Sequence, residues 1–232
     1  MASRLYQYRS VLTAQQVADG MNLAMKNARR LANDAELLLS NDCFPTAASV
    51  ATLSIEESGK MAILRRLSSA FDDKSAKPLW KEYRSHTAKN QMWILPQLFA
   101  QGASQLREFV AMFDESADHP KLLDQIKQIG FYTDCLGNVH WTTPDAVIDE
   151  ELAKMLVQTA KILAGGREIV AAEIELWIKH VGPHLDGSQS DAEAGLKQWY
   201  EEMQHIGLCP AGDNAMQTFI EQGIITSKKA GV

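Results

Sequence analysis

CFPTAASVATLSIEESGKMAILRRLSSAF, residues 43–71, is the segment around which the predicted fold is organised. Its apolar residues recur at steps of three and four, the spacing of one face of an α-helix. Pro45 suits the first turn of a helix, because the first backbone N–H groups have no acceptor within the helix. The segment therefore predicts a helix over about 45–70. Glu57 and Lys60 interrupt its apolar stripe at mid-length, so two charged side chains are expected among apolar neighbours.

A second long helix is predicted just before this segment. Thr13 and Gln16 form a capping box, in which each side chain bonds the backbone N–H of the other residue. The apolar residues that follow again step by three and four, up to Leu38. Asn41-Asp42 then ends the pattern. We expect the two helices to form an antiparallel hairpin.

Further helical patterns fill most of the remaining chain. The predicted helices are Leu79 to about Phe113, with a kink or break at Pro96; about 122–128, ending before Gly130; Thr143-Pro144 to about His180, with a weak point at Gly165-Gly166; a helix opened by a Ser190–Glu193 capping box and ending near Gly207; and Asp213 to Gln222.

The segment FYTDCLGNVHW (131–141) is aromatic and β-branched around a Gly-Asn pair, a pattern typical of a small β-hairpin or an extended excursion. The sequence therefore predicts an all-α bundle of four or more helices with one small non-helical or β-hairpin insert. The expected organisation is a helical core over 1–128, the insert over 129–144, and C-terminal helices over 145–232 that pack on the bundle or complete it.

The composition excludes several classes of protein. Of the 232 residues, 46% are hydrophobic, which is enough to bury a core and excludes wholesale disorder. The net charge of −6 provides no global basic field, so any RNA contact must be a local patch. The three cysteines lie far apart without CxxC spacing, which favours a reducing compartment and excludes a thiolate zinc site. We expect a cytoplasmic protein with no membrane contact, no cofactor and no metal.

Two other predicted helices carry polar residues at mid-length, the first at Asn27 and Asp34 and the third at His86 and Asn90. Because an ionised group buried without a partner is costly, we expect these groups to meet in one polar layer or to line a groove. Such a layer is either a structural network that sets helix register or a functional site. The residues assigned to it are Asn27, Asp34, Glu56, Glu57, Lys60, His86 and Asn90.

Four segments carry a family resemblance: NARRLANDAELLL (27–39), CFPTAASVATLSIEESGK (43–60), WKEYRSHTAK (80–89) and IGFYTDCLGNVHWTTP (129–144). Together they resemble the AbiV family of bacterial abortive-infection proteins, which belongs to the HEPN superfamily. The resemblance implies a HEPN-like helical bundle, often a homodimer, that protects a bacterium from phage by arresting the infected cell. Many HEPN proteins are metal-independent ribonucleases with an arginine, four to six residues and then a histidine. Here the nearest approach to that motif is Arg84-Ser85-His86.

RNA cleavage without a metal needs a base for the 2′-hydroxyl and cationic groups for the phosphate, roles suited to histidine and to arginine or lysine. We therefore assign His86 as the candidate base, with Lys89 and Arg84 stabilising the phosphate. The surrounding segment KPLWKEYRSHTAKN (77–90) has four basic residues and one acidic residue, a net charge of +3. Its alternative interpretation is a solvated helix whose aromatic residues belong to the core. The candidate RNA contacts are Lys81, Tyr83 and Trp80.

The leading functional hypothesis is a phage-defence protein that cleaves or binds RNA or acts on the translation machinery. The second is a non-enzymatic interaction module that binds a phage or host protein through residues 131–141 and the C-terminal helices. A third is a regulatory partner of another toxin. Loss of RNA cleavage on changing His86, against loss of cellular activity on changing Phe131 or Trp141, separates the first two hypotheses.

Overall fold

The computed structural model describes residues 6–114 and 116–224, and confirms the predicted all-α fold class. The outer ends of the predicted ranges 1–128 and 145–232 lie outside the described residues. Within the described part, no helix is both long enough and apolar enough to cross a lipid bilayer. The α-helices are α1 (Ala14–Leu39), α2 (Phe44–Ser68), α3 (Asp73–Arg84), α4 (His86–Lys89), α5 (Leu95–Ala100), α6 (His119–Phe131), α7 (Pro144–Val147), α8 (Glu150–Leu163), α9 (Ala171–His180), α10 (Gln189–His205) and α11 (Ala215–Glu221). The two strands are β1 (Asp134–Leu136) and β2 (His140–Thr142).

The α1–α2 hairpin forms as predicted and organises the bundle. The Thr13–Gln16 capping box starts α1, and Pro45 lies in the first turn of α2. The two helices meet through small residues, which lets their backbones approach closely enough for the Ser54 hydroxyl to donate to the Ala28 carbonyl at 2.7 Å. Helices α6 and α8 pack on α2 from other sides, so α2 is the central helix of the protein.

The predicted third helix is broken into shorter pieces. Helix α3 begins six residues early, because Asp72 forms a capping box with Ser75, and it ends at Arg84. Ser85 has an extended backbone (ψ 131°) and its hydroxyl accepts the Ala88 N–H, which starts the short helix α4. A 3₁₀ turn over Gln91–Ile94 follows, and the interruption predicted at Pro96 is the first turn of α5.

The helix predicted over about 143–180 is likewise three helices, α7, α8 and α9. Asp149 caps α8 through a hydrogen bond from the Leu152 N–H, which separates α8 from α7. The weak point predicted at Gly165-Gly166 is a true break, and Gly166 has a φ of 137°. The predicted β-hairpin is present: β1 and β2 pair antiparallel with Cys135 opposite Trp141.

Helix α10 is capped two residues earlier than predicted, because its capping box is Ser188 with Asp191 rather than Ser190 with Glu193. We therefore expect Ser188→Ala to lower the free energy of unfolding by about 1 kcal/mol, because it leaves a backbone N–H of the first turn without its partner. Urea denaturation followed by circular dichroism measures this change. Ser190→Ala is the matched control and should cost less than about 0.5 kcal/mol; a larger loss for Ser190→Ala than for Ser188→Ala would contradict the assignment.

Candidate functional site

A buried carboxylate lies at the centre of α2. Glu56 is 3% exposed, and three side-chain nitrogens surround it. Its Oε2 lies 2.7 Å from His86 Nδ1 and 3.4 Å from Lys89 Nζ, while its Oε1 lies 2.7 Å from Lys127 Nζ. Lys127 Nζ also lies 2.7 Å from Asp124 Oδ1. We call these five residues the Glu56 cluster.

Three helices supply the cluster, and two glycines bring those helices together. Helix α4 contributes His86 and Lys89, three residues apart, and α6 contributes Asp124 and Lys127 with the same spacing. A Cβ on Gly59, one turn after Glu56, would overlap the Lys89 carbonyl oxygen, so only glycine allows α4 to approach α2 this closely.

Helix α6 approaches α2 in the same way on another side. A Cβ on Gly130 would overlap the Ser49 hydroxyl, and that hydroxyl donates to the Lys127 carbonyl at 3.2 Å. The Asn90 amide nitrogen donates to the Pro120 carbonyl at 3.2 Å, which ties the end of α4 to the start of α6. The backbones that carry the Glu56 cluster are therefore held by contacts that leave little room for adjustment.

The charges of the cluster balance. Two carboxylates, Glu56 and Asp124, face two ammonium groups, Lys89 and Lys127. Burial disfavours the charged form of Lys127, but its hydrogen bonds to Asp124 and Glu56 outweigh this effect and raise its pKa above the ordinary lysine value. Lys127 is therefore a fixed positive charge at neutral pH.

His86 is the cluster member that reaches the surface. Its side chain is 56% exposed, whereas those of Lys89 and Lys127 are buried. Because Glu56 engages Nδ1, Nε2 is the ring nitrogen left to meet another molecule. The arrangement is an exposed imidazole oriented by a buried carboxylate.

Glu56, His86 and Asp124 also place one potential metal-ligand atom each within 4.8 Å of one another, the only such trio among the residues described. The chemistry of the donor set disfavours a divalent cation there. Lys127 already bonds both carboxylates, and Lys89 lies against Glu56, so a cation would have to displace two buried ammonium groups. We interpret the trio as part of an ion-pair network.

Polar residues lie at mid-length of α2, but the buried charge there is Glu56 rather than Glu57 or Lys60. Glu57 and Lys60, which were expected in the core, form a half-buried pair at 2.6 Å beside the cluster. The Lys60 ammonium lies 5.1 Å from the centre of the Tyr83 ring. Glu56 and His86 are hydrogen-bonded to each other, whereas Asn90, fully buried at the end of α4, donates to the Pro120 carbonyl.

The expectation that Asn27 and Asp34 join this layer is wrong. Arg30 donates to Asn27 at 3.0 Å and to Asp34 at 2.8 Å along the outer face of α1. Leu23 and Leu37, on the same stripe, are about two-thirds exposed at 67% and 66%. This stripe therefore faces away from α2, and its polar residues satisfy one another at the surface.

The basic segment 77–90 is also used differently from the expectation. Trp80 is buried in the core and donates its indole N–H to the Ser10 carbonyl at 2.8 Å, so it offers no face for stacking a base. Arg84 stacks on Trp80 and donates to the Tyr8 carbonyl at 2.6 Å, which anchors the N-terminal segment. Lys89 is committed to Glu56. Among the predicted RNA contacts, Lys81 is exposed and Tyr83 is half-buried.

Sequence reasoning missed Asp124 and Lys127. A signal was present: Lys127 falls four residues after Leu123 and three before Gly130, on the buried face of α6. The same test that singled out Lys60 on α2, a charged residue on an apolar stripe, would have singled out Lys127.

Comparison with known proteins assigns the family. A family model described as AbiV (HEPN_AbiV) matches residues 16–165, which include all but the first two residues of α1, the whole of α2 to α8, and all five members of the Glu56 cluster. Searches of curated proteins and of solved structures gave no significant match. The chain therefore belongs to the AbiV family of the HEPN superfamily, a family of abortive-infection proteins that defend bacteria against phage.

Proposed function

We propose that this protein is a metal-independent endoribonuclease in which His86 acts as the general base. The observation that carries the proposal is the 2.7 Å hydrogen bond between the buried Glu56 carboxylate and Nδ1 of the exposed His86 ring. The carboxylate fixes the tautomer and orientation of the imidazole, so the Nε2 lone pair is available to accept a proton. The balanced charges behind it supply no ligand set for a metal.

The proposed reaction uses the 2′-hydroxyl of RNA as the nucleophile. Nε2 of His86 takes the hydroxyl proton, the 2′-oxygen attacks the adjacent phosphorus, and the bond to the 5′-oxygen breaks as that oxygen takes a proton from water. The products are a 2′,3′-cyclic phosphate and a 5′-hydroxyl. A cation close to the phosphate stabilises the charge that develops during the attack.

Lys60 suits this cationic role better than Arg84 or Lys89, because its ion pair is with the part-exposed Glu57, whereas Arg84 bonds the Tyr8 carbonyl and Lys89 is buried against Glu56. Lys60 lies one turn after Glu56 on α2, so the two side chains share a face of the helix. Its side chain is 17% exposed, and its ammonium lies beside the ring of Tyr83, which comes three residues before His86. Tyr83 and Lys81 remain the proposed contacts for a base and for the RNA backbone, and a homodimer would place two such sites in one particle.

The test is incubation of the full chain with tRNA and total RNA in EDTA, read on a denaturing gel and by end-group analysis. Wild-type protein should produce 2′,3′-cyclic phosphate ends, and His86→Ala should lower the rate by a factor of about 10² to 10⁴. His140→Ala, which removes another exposed histidine on β2, is the matched control and should cleave at the wild-type rate. Equal cleavage by His86→Ala, cleavage that EDTA abolishes, or no cleavage by folded wild-type protein would refute the proposal.

A further inference from the structure

The β-hairpin and the end of α6 just before it carry exposed apolar side chains that nothing in the described chain covers. Four large side chains, Phe131, Tyr132, Val139 and Trp141, are exposed within eleven residues, and Val139 and Trp141 are 79% and 73% exposed. Phe131 and Tyr132 contact each other edge to face, with ring centres 6.3 Å apart. We call these four residues the hairpin patch. Clustered exposure of this kind is typical of interaction sites, whereas isolated exposed apolar residues are ordinary.

Val139 is also held in an unfavourable backbone conformation. Its φ is 60°, in the left-handed region that β-branched residues rarely adopt and that asparagine and glycine accept readily. Val139 is the last of the three loop residues between the paired residues Leu136 and His140, after Gly137 and Asn138. The exposed valine side chain gains little inside this chain to offset the strain. Its apolar surface is instead presented to the outside.

The surroundings of the hairpin patch are acidic. From Gln128 to Ala153 the chain contains no lysine or arginine. The same stretch contains five exposed carboxylates, of which Glu150 is paired with Lys154 just beyond it: Asp134, Asp145, Asp149, Glu150 and Glu151. Charges within about 10 Å of one another are only partly screened at physiological salt. The segment that carries the hairpin patch is therefore negatively charged.

We infer that the hairpin patch docks a polypeptide segment that combines apolar side chains with lysines or arginines. The apolar side chains would cover the aromatic residues and Val139, while the basic groups would meet the carboxylates around them. RNA is disfavoured because its phosphates would be repelled. A second copy of this chain is disfavoured because the protein carries a net charge of −6.

This inference is independent of the Glu56 cluster and of RNA cleavage. It is tested with three synthetic amphipathic peptides that share their apolar residues and differ only in having lysine, glutamine or glutamate at the remaining positions. Fluorescence anisotropy with the full-length protein should show the lysine peptide binding about tenfold tighter than the glutamine peptide, and the glutamate peptide binding weakest. Added salt should weaken binding of the lysine peptide.

Substitutions in the hairpin patch test whether the peptide binds there. Trp141→Ser should weaken the lysine peptide about tenfold, and Asp134→Asn with Asp145→Asn should weaken it severalfold. The matched controls are Leu23→Ser, an equally exposed leucine on α1, and Asp186→Asn, an exposed carboxylate elsewhere; both should stay within about twofold of wild type. Val139→Asn should raise the melting temperature by about 2 °C, because asparagine accepts the left-handed backbone, while weakening peptide binding.

Three results would overturn the inference. The first is lysine-peptide binding that is unchanged in Trp141→Ser. The second is equal or tighter binding of the glutamate peptide. The third is a different occupant: dissociation of a dimer by Trp141→Ser in light scattering would assign the patch to a second copy, and loss of binding to an RNA oligonucleotide in the same variant would assign it to nucleic acid.

Discussion

Replacing Glu56 with alanine should lower the free energy of unfolding by about 3–5 kcal/mol, the typical cost of removing one partner of a buried ion pair. The reason is that two buried lysine side chains would remain without this carboxylate. Lys89 and Lys127 are buried beside the Glu56 carboxylate, and without it Lys89 loses the carboxylate that the structure places against its ammonium. Lys127 keeps Asp124, but the buried site would then hold two positive charges and one negative charge. The lost interactions of His86 add to this cost.

The matched control is Glu57→Ala, one residue away on the same helix. Glu57 pairs only with Lys60 at a half-buried position, so its loss should cost about 1 kcal/mol or less. Urea denaturation of the two variants at neutral pH shows which of the two carboxylates contributes more to the free energy of unfolding. A greater loss for Glu57→Ala would place the central charge where the sequence pattern suggested, and would refute the cluster as described.

The pH dependence of this stabilisation follows from Lys127. Its pKa is raised in the folded protein, so its contribution to stability is complete below the ordinary lysine pKa and is lost as the pH rises through the raised value. The difference in unfolding free energy between wild type and Glu56→Ala should therefore include a constant Lys127 contribution between pH 7 and pH 9, and this contribution should decline only in more alkaline solution.

The α1–α2 hairpin was predictable because its signals are local. A capping box, a proline in a first turn and apolar residues at helical spacing each act over a few residues, and all of them agree. The β-hairpin was predictable for the same reason. The choice between Glu56 and Glu57 was different, because α2 is buried on several sides, so the apolar stripe that Glu57 and Lys60 interrupt does not by itself identify the inner face.

The break at Ser85 was also not predictable from the spacing of apolar residues. Apolar and polar residues continue at helical spacing from Leu79 through Trp93, so the pattern alone predicts one helix. In the structure the Ser85 hydroxyl competes for a backbone N–H and starts a new turn, and the close contact of α4 with Gly59 favours that alternative. His86 and Lys89 still meet at Glu56, but tertiary contacts rather than a continuous helix face place them there.

Gly59→Ala should damage both stability and the proposed RNA cleavage. Alanine is the better helix former by roughly 1 kcal/mol in an isolated helix, so propensity alone predicts that the substitution stabilises α2. Contact with α4 makes the substitution destabilising instead. The new Cβ would overlap the Lys89 carbonyl oxygen and lie 2.8 Å from the Lys89 carbonyl carbon, and these are backbone atoms that no rotamer change can move.

Relief of that overlap requires α4 to move away from α2, and such overpacking typically costs about 1–3 kcal/mol. Because His86 is the first residue of α4, its ring would move relative to Glu56, and a displacement of about 1 Å can cost about 100-fold in rate. Cleavage assays well below the melting temperature separate this loss from unfolding. The expected result is a folded protein with at least about 100-fold lower activity.

Gly20→Ala is the control that separates the overlap with α4 from a general effect of replacing a helical glycine with alanine. Gly20 lies inside α1, and a Cβ there would meet only the methyl groups of Leu64 at 3.7 Å, an ordinary van der Waals contact. This variant should be more stable than wild type by about 0.5–1 kcal/mol and should cleave RNA at the same rate, because it gains helix propensity without displacing a neighbour. If Gly59→Ala behaved like Gly20→Ala, the close approach of α4 would not be what holds His86 against Glu56. Opposite signs for the same substitution in two neighbouring helices would show that the approach of α4, and not the helical character of α2, requires glycine at position 59.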